Sequence, residues 1–205
     1  MKHQLRHIFI LLVAMTAAFN VPAATTAESV VASLRARIAS AKAIEIVFTV
    51  KGQDGPVQGS AVISGLCFTM TTPELSVWYD GETQWTLLPA SKEVNITAPT
   101  AVEINAVNPF AILTDCVEHY TVRRLKDRDG CKVVSLTPWA KGDGVDNYEV
   151  SVDGNGQPTV IVINFEDGRR IHVSIDSFLE TGAKAPSVFT FNKSKYPGYE
   201  VVDLR

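Results

Sequence analysis

The sequence is poor in the residues that most site chemistry needs. Of 205 residues only 3 are cysteine and 4 are histidine, and His3 and His7 fall within the first ten positions. Cys67, Cys116 and Cys131 show no C-x-x-C spacing, and their odd number leaves at least one thiol unpaired within the chain. The turn at Asp129-Gly130 sets Cys131 opposite Arg128 rather than Cys116, so the cysteines read as small buried hydrophobes. His119 and His172 stand in no two-ligand spacing with Cys, Asp or Glu, and no metal site is expected. No glycine-rich phosphate loop follows a strand, so nucleotide chemistry has no support and no cofactor is expected. Basic clusters are missing as well: 19 Lys and Arg stand against 22 Asp and Glu, which argues on bulk charge against nucleic acid and anionic head groups as partners.

Long apolar runs are absent after the N-terminus. Lys2 and Arg6 precede an apolar stretch from Ile8 to Phe19, shorter than the roughly 20 residues that span a bilayer, and Val21-Pro22-Ala23 is a small-x-small site. Residues 1–23 therefore read as a secretory signal peptide cleaved after Ala23. The cleavage site lacks the cysteine that lipid attachment needs, so the expected product is a soluble, unanchored protein in an exported compartment. Residues 24–205 show no linker, repeat or low-complexity tract and are read as a single domain.

Hydrophobic periodicity then divides the chain. Residues 25–42 carry Val30 or Val31, Leu34, Ile38 and Ala41 at helical spacing, with Thr25 and Glu28 as a capping box. From Ile44 the period becomes two. Strands are predicted at 44–50, 57–63, 67–72, 75–80, 83–88, 93–97, 120–125, 131–137, 147–152, 159–165 and 169–178, joined by tight turns and so antiparallel. Asn108-Pro109 opens a predicted short helix with Phe110, Ile112 and Leu113. The expected fold is mainly β within α+β: a strongly curved sheet or incomplete antiparallel barrel of ten to eleven strands. The N-terminal helix and a short lid helix cover its concave apolar face; a closed barrel with outer helices is the alternative.

The hairpin "SVWYDGETQW" concentrates two of the 3 tryptophans. With Asp80-Gly81 as the loop, Tyr79 pairs with Glu82 and Ser76 with Trp85, so that Trp78, Trp85 and Leu87 share one face. So large an apolar face must be covered. Further apolar residues on the same elements, Phe48, Phe68, Met70 and Phe110 among them, exceed what one helix stripe needs, and the economical reading is a hydrophobic cavity left open for a guest.

The segments "LRARIASAKAIEIVFTV", "YDGETQW", "NPFAIL", "VSLTPWA" and "PSVFTFNKSKYPGYEVVDLR", in this order, resemble the periplasmic outer-membrane lipoprotein carriers of the LolA family. The resemblance implies an unclosed barrel around a hydrophobic cavity, lidded by helices, that carries the acyl chains of lipoproteins through the periplasm. Its partners would be an inner-membrane lipoprotein-releasing transporter and an outer-membrane acceptor, and the carrier would be a monomer and not an enzyme. The cavity and lid set expected here is Leu34, Ile38, Phe48, Leu66, Phe68, Met70, Trp78, Trp85, Leu87, Phe110, Ile112 and Leu113. One departure stands out, because no arginine lies between Arg37 and Arg123, whereas the family commonly has one on an early strand that bonds to the lid. In its place stands "VISGLCFTM". A lipid-sensing or adaptor protein of the same fold is therefore the second reading.

Hydrolysis is the rival class. His172, Ser174 and Asp176 alternate along "RIHVSID" and project to one side of a strand, but residues two apart lie about 7 Å from one another, too far for a nucleophile to bond its base. A solvated strand face explains them better. Asp153, Asn155 and Asp167, which could suit calcium, are better read as turn formers.

Overall fold

The computed structural model describes residues 26–52, 55–100, 103–104, 108, 110, 112, 119–139 and 144–205. Helix α1, Ala27–Ser40, is capped by Thr26, whose Oγ1 accepts from the Ser29 amide at 3.2 Å; this replaces the expected pairing of Thr25 with Glu28. Thr25 lies outside the described residues. Ala27, Val30, Val31 and Leu34 bury one stripe, the spacing that amphipathic packing requires, while Ile38 at the far end is only half-buried.

Twelve strands follow: β1 Ala43–Gly52, β2 Gly55–Ser64, β3 Cys67–Thr71, β4 Ser76–Tyr79, β5 Gln84–Leu88, β6 Glu93–Thr97, β7 Tyr120–Arg124, β8 Lys132–Pro138, β9 Val145–Val152, β10 Pro158–Phe165, β11 Arg170–Thr181 and β12 Glu200–Asp203. They form one sheet in the order β12-β6-β5-β4-β3-β2-β1-β11-β10-β9-β8-β7. The terminal strands β12 and β7 do not pair with each other, so the sheet is unclosed. The expected incomplete barrel is present, with one strand more than the sequence indicated. That strand, β12, departs from the antiparallel rule by running parallel to β6. Among the described residues no helix is long and apolar enough to cross a membrane.

The sheet bends where its register breaks. Val47 pairs with Ser177 and Phe48 with Ile175, leaving Asp176 as a bulge whose carboxylate accepts from Thr49 Oγ1 at 2.7 Å. A bulge tightens local twist and lets both Val173 and Phe178 be buried on the same side despite their odd spacing. Across from Phe48 stands Gly59, where a Cβ would lie 2.5 Å from the Phe48 Cζ. The missing side chain is what lets the phenyl ring lie over β2.

Candidate functional site

The concave side of the sheet meets α1 in one continuous apolar cluster that includes Leu34, Phe48, Phe68, Met70, Phe110 and Ile112 from the expected set. Phe110 and Ile112 are almost wholly buried, and the Phe110 ring meets Phe48 edge-on with 5.5 Å between centroids. Asn108, itself buried, accepts from the Phe110 amide at 3.0 Å through Oδ1 and so fixes the segment at the point where it enters the core. Leu113 lies outside the described residues. The centre of the concave face is thus occupied by the protein's own rings, and the space left over is elsewhere.

That space is a groove of about 560 Å³ between the C-terminal half of α1, the start of β1 and the β2–β3 turn. Ile38, Ala41, Ile44 and Ile63 form its apolar wall, while Arg35 and Leu66 stand at the rim. Leu66 is 79% exposed, a large aliphatic side chain left in water at the mouth of an apolar channel. The helix contributes Ala32, Ala36 and Ala39, small side chains that leave volume unfilled. Ile63 and this alanine stripe fall outside the expected set, although the stripe's spacing along α1, three and four residues apart, is visible in the sequence.

The tryptophan hairpin turns the other way. Trp78 sits directly opposite Trp85 and Ser76 opposite Leu87, with Gly81-Glu82 as the loop and the Asp80 carboxylate accepting from the amides of Glu82 and Thr83 at 3.0 and 2.8 Å. This register is two residues from the one expected, and a shift of two preserves the face. Trp78, Trp85 and Leu87 do share one side of the sheet, but it is the side opposite Val77 and Tyr79, which belong to the concave core. All three are therefore corrected from cavity wall to outer face.

Their cover is the C-terminal segment. Trp78 meets Phe191 and Tyr196 with centroids 5.6 and 5.9 Å apart, and Phe191 stacks on Tyr196 at 5.4 Å. β12 then zips onto β6 and holds the segment in place. The physical reason for the reversal is on the inner face, where Tyr79 is followed across the sheet by Gln84 and Thr97, and Val77 by Thr86 and Asn95. Polar residues there leave only the outer face for apolar packing.

The alternating polar row on β11 behaves as a strand face and not as a triad. His172 pairs with Lys51 and Ser174 with Thr49 across β1, and Asp176 is the bulge that bonds Thr49. Burial, aided by Lys51 and Arg170, holds the His172 imidazole below its ordinary value. Among the described residues no three His, Cys, Asp or Glu side chains are grouped to hold a metal. Cys67 and Cys131 are free thiols, half-buried rather than fully buried; Cys131 pairs with Arg128 as its turn required, and burial raises the Cys67 pKa.

Comparison with known proteins gives a family match and several distant folds. The family model described as outer membrane lipoprotein carrier protein LolA matches residues 21–162. No curated protein matches the chain in sequence. A solved structure of an uncharacterized conserved protein from Thermus thermophilus superposes with a TM-score of 0.58 at 9% identity, covering 86% of this chain and 98% of that one. An outer membrane lipoprotein-sorting protein domain from Vibrio parahaemolyticus gives 0.48 at 13% identity over 84% and 98% of the two chains. MucB gives 0.43 at 12% identity over 81% and 62%.

Proposed function

Because this chain belongs to the family of outer membrane lipoprotein carrier proteins, LolA, we propose that it is a periplasmic carrier that shelters the acyl chains of lipoproteins between the inner and outer membranes. Residues 1–23 would direct export and be removed, leaving the domain 24–205 unanchored and monomeric. An inner-membrane lipoprotein-releasing transporter would load it and an outer-membrane acceptor would unload it.

The observation that carries this reading is the groove beside α1. Its volume of about 560 Å³ falls within the roughly 300–1,000 Å³ of ligand pockets, and its wall is aliphatic. Leu66 and Ile38 stand where a chain would pass from water into the groove. Phe110 and Ile112 occupy the deeper concave space, and their withdrawal would extend the groove toward Phe48, Phe68 and Met70. This serves release as well as uptake. Burying a methylene stabilises by about 0.8 kcal/mol, so complete burial of a three-chain anchor with on the order of forty methylenes gives a gross term of about 30 kcal/mol, beyond the practical ceiling near 20. A cavity partly filled by movable side chains keeps the affinity reversible. No arginine between Arg37 and Arg123 is present to latch such a lid, so aromatic packing of Phe110 on Phe48 takes that place.

The test is incubation of the purified protein with a synthetic triacylated lipopeptide, followed by size exclusion and mass spectrometry. Cargo should co-elute with the protein, and Ile38→Asp or Leu66→Asp, at half-buried and exposed positions, should reduce co-elution while circular dichroism stays unchanged. Failure of the protein to retain the lipopeptide overturns the proposal. The second reading, an adaptor of the same fold, is favoured by the filled concave centre and predicts a stoichiometric protein partner whose binding ignores those substitutions.

A further inference from the structure

The outer face of the other half of the sheet carries a feature that no sequence window displays. Lys51 on β1, His172 on β11, Val162 on β10, Glu149 on β9, Ser135 on β8 and Arg123 on β7 are successive cross-strand partners and form one row across six strands. All point away from the concave core, since Val173, Ile161, Tyr148 and Leu136, the neighbouring residues along the strands, belong to it. At about 4.8 Å per strand the row is about 24 Å long before curvature.

Two more cations converge on its middle. Arg170 Nη2 donates to Glu149 Oε1 and Arg128 Nη2 to Glu149 Oε2, each at 3.1 Å, so one half-buried carboxylate holds two exposed guanidinium groups. Each guanidinium has five N–H donors and spends one on Glu149, which leaves further donors on side chains that are more than half exposed. Val162, between His172 and Glu149 in the row, is only 2% exposed. Lys51 and Arg123 are exposed at the two ends. Within the row the Nδ1 atom of His172 is buried without a hydrogen-bond partner. Four cationic side chains, two of them held by Glu149, thus lie along this face of a chain whose net charge is −3.

We propose that this strip docks an extended acidic segment of a partner protein, laid across the strands on the convex side and independent of any guest in the groove. Charge complementarity supplies the attraction, and the arginine forks, already oriented by Glu149, recognise carboxylates in two-pronged fashion. The shape of the charge selects a segment over a membrane. Asp127 and Asp129 flank Arg128 on the β7–β8 hairpin and Asp176 lies exposed two strand positions beyond Ser174 on β11, so a flat anionic surface would meet carboxylates together with the cations. A single extended chain, at about 3.3 Å per residue, follows the strip with seven or so residues and avoids them.

The experiment titrates fluorescein-labelled octaglutamate with the purified full chain, read by fluorescence anisotropy, alongside co-sedimentation with phosphatidylglycerol vesicles. Saturable peptide binding is expected, weakened at least tenfold between about 50 and 500 mM salt as screening grows. Lys51→Glu with Arg123→Glu should weaken it at least tenfold further. Both positions are exposed, and the neutral pair Lys51→Gln with Arg123→Gln serves if charge reversal disturbs folding. Triacylated lipopeptide retention should be the same in these variants, which separates this proposal from the carrier reading. No peptide binding, binding indifferent to the substitutions, or vesicle sedimentation that depends on the same side chains would overturn it.

Discussion

Two neighbouring regions of one sheet solve the same burial problem in opposite directions. In β1–β4 the core residues Phe48, Ile63, Phe68 and Val77 face the concave side. In β4–β6 the large apolar residues Trp78, Trp85 and Leu87 face outward, and the C-terminal aromatics pack on Trp78. Alternation along a strand decides which residues travel together, whereas the covering element decides which side is inside. The first region keeps a groove beside α1; the second is closed by ring stacking and a parallel strand. The proposed guest site belongs to the first region.

The comparison can be broken by substitution, in order of expected effect. Phe48→Ala removes a ring that is 1% exposed and should destabilise by about 3–5 kcal/mol in urea unfolding. Gly59→Val forces a side chain into the space of that same ring and should cost about 1–3 kcal/mol. In the second region, Trp78→Ala is expected to cost about 2 kcal/mol, less than a fully buried ring because Trp78 is half-buried. Lipopeptide retention should survive it, and if it falls in parallel with Ile38→Asp the division between the two regions is wrong. Thr26→Ala should cost about 1 kcal/mol by removing the cap of α1. Leu66→Asp should change stability by less than about 0.5 kcal/mol and still reduce lipopeptide retention. The smallest effect is that of pH on His172. Its depressed folded value means that the unfolded chain takes up the proton first, so this contribution is complete above about 6.5 and is lost as the pH falls below it. His172→Gln should flatten that part of the stability profile.

What the residues reveal in advance follows the same division. Strand positions and the unclosed sheet are legible because turn dipeptides and period-two alternation are local signals. The hairpin register differs by two from the expected one because Asp80 spends its carboxylate on the amides of Glu82 and Thr83, moving the loop to Gly81-Glu82; face membership survives the shift. Which side those tryptophans take is not legible, since their cover comes from Phe191 and Tyr196, more than 100 residues away. The strand β12 is four residues long and gains its partner only through tertiary placement beside β6. The basic strip is hidden for the same reason, as Lys51, Arg123, Arg128 and Arg170 meet only across strands while bulk charge is acidic.

The most direct measurement places a photoreactive diazirine on the acyl chain of a lipopeptide, irradiates the complex and maps the labelled residues by mass spectrometry. The account predicts labels on Ile38, Ile63 and Leu66 along the groove, with deeper ones on Met70 or Phe110. Labels concentrated on Trp78, Trp85 or the C-terminal aromatics would contradict it.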